Sequence, residues 1–179
     1  MKTLFQICIL AMATLLSACG GSSAQPKGKL IYCSYSETRH GGLGKSYCEL
    51  IADEGKDPYV AVRLDMESRL EDIEPLQADI PVDAAVVDEL QELLAQNKVY
   101  ELDGYMLDEM LEGGATYRIY MEYSSGEKVN ASWFGHNVKD EAWAAYYLIE
   151  GFFEPWCQKA REMNPGAADG EVIEEEPEN

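Results

Sequence analysis

The chain has 179 residues, 14 Lys and Arg against 33 Asp and Glu, and a formal net charge of −19. Such a surface repels nucleic acid and anionic membrane, which excludes both as partners of the acidic part of the chain. The length allows one domain with a substantial core.

The N-terminus reads as an export signal. Lys2 supplies the positive charge and Leu4 to Leu16 is an apolar run interrupted only by Gln6 and Thr14. A bilayer span needs about 20 apolar residues, so this run is too short to cross. Leu16-Ser17-Ala18-Cys19 resembles the lipobox of bacterial lipoproteins. That resemblance implies acylation of the Cys19 thiol, cleavage just before it and acylation of the new N-terminus, which together hold a protein at a membrane far more firmly than one acyl chain does. Residues 1–18 are then a signal peptide, and 19–28 a Gly- and Ser-rich tether. The folded domain is expected over 29–164. Residues 165–179 are an acidic tail with almost nothing to bury, expected to be disordered. No acid lies between Gly20 and Lys29, a pattern that leans towards the periplasmic rather than the outer face of the outer membrane.

Lys29 to Ser36 and Ser46 to Asp53 are rich in aromatic and β-branched residues and read as paired antiparallel strands. Setting Cys33 opposite Cys48 places Ile31, Cys33, Cys48, Leu50 and Ala52 on one apolar face, and Tyr32, Ser34, Tyr47 and Glu49 on the other. A one-residue slip would invert both faces. Tyr59 to Asp65 is a third strand, with Val60, Val62 and Leu64 on one side. Met66 to Ile80 is polar and reads as loop with a short helical turn. Pro81 suits a first helical position, and Val82, Ala85, Val86, Leu90, Leu93 and Leu94 recur at helical spacing. Asn97 is expected to close that helix in the left-handed conformation. Val99 to Leu102 reads as a short strand.

Tyr117 to Tyr123 and Glu127 to Phe134 form a hairpin whose loop length is set by its faces. A two-residue loop at Ser125-Gly126 mixes polar and apolar positions. A three-residue loop, Ser124-Ser125-Gly126, puts Met121 opposite Val129, Ile119 opposite Ala131 and Tyr117 opposite Trp133, and gives Gly126 the left-handed position. From Lys139 the chain is helical, with Ala145, Leu148, Ile149, Phe152 and Trp156 as the core stripe. Trp143 and Tyr147 lie on another side, near Glu150 and Glu154. Pro155 opposes the carbonyl of Gly151, so the helix either kinks there or restarts.

The second half, from Tyr120-Met121-Glu122-Tyr123-Ser124-Ser125-Gly126 through Gly135-His136-Asn137, resembles a widespread group of small uncharacterised lipoproteins of bacterial envelopes. Their pattern is strand, Gly-containing turn, strand, then a Gly-x-Asn step into a terminal helix. Many carry Pro after the Asn; this chain has Val138-Lys139-Asp140. The resemblance covers roughly the last 60 residues before the tail. It implies an α+β fold and no known activity.

No catalytic motif stands out. His40-Gly41-Gly42-Leu43-Gly44-Lys45-Ser46 ends like a phosphate-binding loop but has Arg39 where the first glycine belongs, and a strand pattern follows it. His40 and His136 are the only histidines, and a Cys–His nucleophile pair has no supporting spacing. No metal-ligand spacing is present, so neither metal nor other cofactor is expected. Trp143, Tyr147, Glu150 and Glu154 are the candidate ligand contacts, since carboxylates one turn apart beside aromatic rings suit a glycan. Of the sulfurs, Cys33 and Cys48 are favoured as a disulfide across the strands, which chain entropy suggests is worth about 3 kcal/mol. Buried thiols, or a Cys157 that reaches a strand, are the alternatives. The sequence thus leads to a single α+β domain, a mostly antiparallel sheet with two principal helices on one face. The expected function is that of a lipid-anchored envelope protein that binds or scaffolds an envelope protein or a glycan without catalysis. The alternative is an envelope hydrolase acting on glycan or peptide.

Overall fold

The computed structural model describes residues 24–39, 45–65, 75–107, 114–135 and 138–165. The signal segment, Cys19, His40 with the glycines after it, His136 and the acidic tail from 166 onward lie outside the described residues. The strands are β1 (Leu30–Arg39), β2 (Lys45–Ile51), β3 (Tyr59–Asp65), β4 (Leu76–Pro81), β5 (Met106–Leu107), β6 (Ala115–Tyr123) and β7 (Lys128–Phe134); the helices are α1 (Ala84–Gln96) and α2 (Asp140–Met163). One seven-stranded sheet runs in the order β4-β3-β2-β1-β6-β7-β5, antiparallel except for the β5–β7 edge. This is the α+β architecture that the strand and helix patterns predict, with both helices on one face of the sheet.

Alternation decides that face. Cys33, Tyr35, Cys48, Leu50, Val60, Val62, Leu76, Ile80, Ile119, Met121, Val129, Ala131 and Trp133 all point into one core with Val87, Leu90 and Leu94 of α1 and with Tyr146, Ile149 and Phe153 of α2. Tyr32, Ser34, Tyr47, Glu49, Arg118 and Tyr120 point the other way, and among the described residues no helix covers them. The β6–β7 hairpin has the three-residue loop and the cross-strand pairs expected, Met121–Val129, Ile119–Ala131 and Tyr117–Trp133. Gly126, at φ +86°, supplies the left-handed residue that closes it.

The β1–β2 pairing corrects the expected register. Cys33 faces Leu50, and Cys48 faces Tyr35. The slip is two residues, so every side chain keeps its face while every cross-strand partner changes. Both registers bury the same residues, and packing against α2 separates them. Tyr35 and Cys48 are set side by side beneath Phe153 and Cys157. Cys33 and Cys48 are therefore not bridged; Cys33, Cys48 and Cys157 are all buried free thiols.

Other expectations change, and one open alternative is decided. Leu76–Pro81 is a strand, not loop: Leu76, Ala78 and Ile80 are buried and the residues between them exposed. Pro81 ends that edge strand, where a missing N–H is tolerated, and α1 starts at Ala84 behind Asp83. The left-handed residue after α1 is Lys98, at φ +52°, while Asn97 stays at φ −94° and its side-chain amide donates to Leu93 O at 2.9 Å. Val99–Leu102 is a 3-10 helix that buries Val99 and Leu102. Finally, α2 runs through Pro155 without a restart. Its buried stripe is Ala142, Ala145, Tyr146, Ile149, Phe153, Cys157 and Ala160, so Leu148, Phe152 and Trp156 only flank the core.

The segment entering β1 is fastened at the hairpin end of the sheet. Lys27 N donates to Glu127 Oε2 at 2.6 Å, Lys29 N to Ser124 Oγ at 2.9 Å, and Leu30 N to Gln91 Oε1 at 2.7 Å. Gly28 has φ +83°, and a Cβ there would lie 2.6 Å from Ser124 Oγ, so the two chain segments close only with glycine at this position.

Candidate functional site

Two surfaces carry aromatic and charged residues, and they differ in how far their polar groups are already satisfied. The first is the open face of the sheet. Tyr32 and Tyr120 meet edge to face at 5.8 Å. The Tyr32 hydroxyl donates to Glu49 and the Tyr120 hydroxyl to Glu122. Lys128 Nζ reaches Glu122 at 2.6 Å, Arg63 reaches Asp79 at 2.5 Å, and Arg118 Nε donates to Asn130 Oδ1 at 3.1 Å. Arg118 and Lys128 also lie over the Tyr120 ring and Lys45 over Tyr47. The depression between these side chains encloses about 380 Å³. Tyr32, Arg118, Lys128 and Arg63 meet acceptors on neighbouring strands, as cross-strand pairing arranges, and Tyr120 meets Glu122 on its own strand.

The second surface is a rim where the first half of α2 crosses the far end of β1 and β6. Trp143 and Tyr147, one helical turn apart, stack with ring centres 5.6 Å apart and planes at 20°. Tyr147 is 60 % exposed. Beneath them Tyr117 packs edge-on against Trp143 at 4.7 Å and against Tyr146 at 5.1 Å. Trp133, wholly buried, completes the cluster beside Tyr105, Tyr117, Trp143 and Tyr146. Edge-to-face contacts of this kind add to the area the rings bury.

Acids border these rings. Glu37 shares the helix-covered face of β1 with Tyr35 and lies opposite Tyr117 of β6. Arg39 Nε donates to Glu37 Oε1 at 2.7 Å. Glu150, half-buried on α2, has its carboxyl raised above the ordinary range, first by desolvation, then by the charges of Glu37 and Glu154. Burial, then Glu150 and Glu37, raise the Tyr146 hydroxyl too. Most telling, the Tyr146 hydroxyl and the Trp133 indole N–H are buried, and among the described residues neither has a hydrogen-bond partner. Groups of this kind in a folded protein call for an explanation.

Of the residues singled out by sequence, Trp143, Tyr147 and Glu150 come together at this rim. Glu154 is one turn further on, exposed, with Arg161 Nη1 3.5 Å away, and acts on Glu150 only through its charge. Sequence reasoning missed Glu37, Tyr117 and Tyr146, which strand pairing and helix docking bring in. A Cys–His pair cannot be placed, because both histidines lie outside the described residues. Among the described residues no group of acids, histidines and cysteines is arranged to hold a metal ion, and no helix is long and apolar enough to cross a membrane. The chain matches no protein-family model and no curated protein.

Proposed function

We propose that the chain is a lipid-anchored protein of the bacterial cell envelope, held at the outer membrane through Cys19 with its domain in the periplasm, and that the domain binds an envelope glycan without catalysis. The anchor reading rests on the lipobox resemblance. The binding reading rests chiefly on the stacked pair of half-buried Trp143 and exposed Tyr147 beside half-buried Glu150. An aromatic platform takes the C–H face of a sugar ring, and the bordering carboxylates take its hydroxyls. The layout agrees with the anchor. The chain enters at the hairpin end, and β1 separates that end from Glu37 by about 23 Å of strand, so the rim points away from the attachment. The eight steps along the chain from Cys19 to Lys27 allow a stand-off of at most about 28 Å.

One observation favours the rival, an envelope hydrolase. Glu150 holds its proton more tightly than an ordinary carboxyl and has a second carboxylate, Glu37, close enough to act on it, which is the pattern of a general acid beside a base. Co-sedimentation of the purified chain with insoluble peptidoglycan, followed by analysis of the soluble products, separates the two. The binding module is retained on the glycan, releases no fragments, and loses retention at least tenfold on Trp143→Ala. Fragments that appear with the unmodified chain and vanish with Glu150→Gln establish the hydrolase instead. No retention and no fragments would overturn both for this glycan.

A further inference from the structure

Cys48 and Cys157 stand apart from the site just described. Cys48 lies on the helix-covered side of β2 and Cys157 on the last turns of α2, 109 residues later, yet their Sγ atoms are 3.1 Å apart. That is nearer than unbonded sulfurs ordinarily pack, and an approach of about 1 Å completes a disulfide. Both thiols are buried among apolar neighbours. Among the described residues the Tyr35 hydroxyl faces them, 4.0 Å from Cys157 Sγ, and the charges of Glu154 and Arg161 act on the pair.

We propose that Cys48 and Cys157 form a disulfide that staples the end of α2 to the sheet, with Cys33 left as a thiol. The helix gives the staple a purpose. Pro155 has no N–H to give the Gly151 carbonyl, so α2 loses a hydrogen bond two residues before Cys157. The turns beyond Pro155 are therefore the weakest held by the helix itself, and a bond at Cys157 fastens them. Cys33 cannot compete: it faces Leu50 and Met121 across its two neighbouring strands.

The chemistry needs a disulfide of another molecule, a small-molecule disulfide or a dithiol oxidase, as oxidant. One thiol of the pair, as thiolate, attacks a sulfur of that disulfide and expels a thiolate. The second then attacks the mixed disulfide and expels the other. Two cysteine thiols are oxidised, one disulfide is reduced to two thiols, and the two protons from the cysteines end on them.

Trypsin places the three cysteines on separate peptides, 30–39, 46–56 and 140–159, so the pairing can be read from the unmodified chain. The purified full chain is unfolded in urea with reductant, refolded in oxidised and reduced glutathione, alkylated and digested without reduction. The expected result is peptide 46–56 joined to 140–159, with 30–39 alkylated, and a thermal midpoint about 10 °C above that of the reduced chain. A bridge to peptide 30–39, or alkylation of all three at full oxidation, would overturn the proposal. Cys33→Ala should leave the bridge intact; its loss there would also overturn it. The outcome is independent of whether Cys19 is an anchor, which the mass of the mature N-terminus decides.

Discussion

The two sides of the sheet both carry tyrosines, and the tyrosines differ in what their hydroxyls meet. On the open side Tyr32 and Tyr120 donate to the carboxylates of Glu49 and Glu122. On the helix side the Tyr123 hydroxyl meets Met121 Sδ at 3.8 Å, the Tyr35 hydroxyl meets Cys157 Sγ at 4.0 Å, and the Tyr146 hydroxyl meets no partner among the described residues. These two open-side hydroxyls are satisfied. The helix side fills space with rings and leaves the Tyr146 hydroxyl buried and, among the described residues, unpaired. A satisfied donor adds to stability and an unpaired buried one costs it, so removing the two should have different effects.

Four substitutions test that contrast. The largest effect is expected from Trp133→Ala, which removes a wholly buried ring from the aromatic cluster and should cost about 3–5 kcal/mol in urea denaturation. A cost below about 1 kcal/mol would mean the cluster is not the core described. Next, Tyr32→Phe removes a satisfied donor and should cost about 1 kcal/mol. Tyr146→Phe removes an unsatisfied one, so no destabilisation, or a gain of up to about 1 kcal/mol, is expected from the same measurement. Equal costs for these two would erase the distinction between the sides.

The smallest effect concerns Glu150. Its folded-state pKa lies above the ordinary value, so ionisation disfavours the fold: stability from this group is present below the unfolded pKa and is lost as pH rises through the folded one. Glu150→Gln should raise the thermal midpoint by about 1–2 °C at pH 7, a shift kept small by solvent screening, and should change nothing at pH 3. A fall at pH 7 would show that the carboxylate is stabilised, not strained, by its surroundings.

How much of this was legible in the chain depends on whether the deciding contact is local. The β6–β7 hairpin was readable to the residue, because a three-residue loop and a two-residue loop sort Met121, Ile119 and Tyr117 onto different faces. The β1–β2 hairpin was readable only in parity. A register with Cys33 opposite Cys48 and one with Cys33 opposite Leu50 bury the same side chains, and the choice lies with Phe153 and Cys157, more than a hundred residues away. Strand β4 was missed although Leu76, Ala78 and Ile80 alternate, since three apolar positions after a polar stretch are a weak signal. For the site, helical spacing sufficed to group Trp143, Tyr147 and Glu150. Glu37 and Tyr117 join them through strand pairing, and the lack of a partner for Tyr146 is a property of three-dimensional packing that no spacing reveals.

The most direct test of the account is one binding measurement made on three proteins. The unmodified chain, Tyr147→Ala and Tyr32→Phe are each titrated with soluble peptidoglycan fragments, and the tryptophan fluorescence is followed. The account predicts saturable binding by the unmodified chain, unchanged affinity for Tyr32→Phe and at least a tenfold loss for Tyr147→Ala, which removes the exposed half of the stacked pair. Binding that survives in Tyr147→Ala and fails in Tyr32→Phe would place the ligand on the open face of the sheet and contradict it.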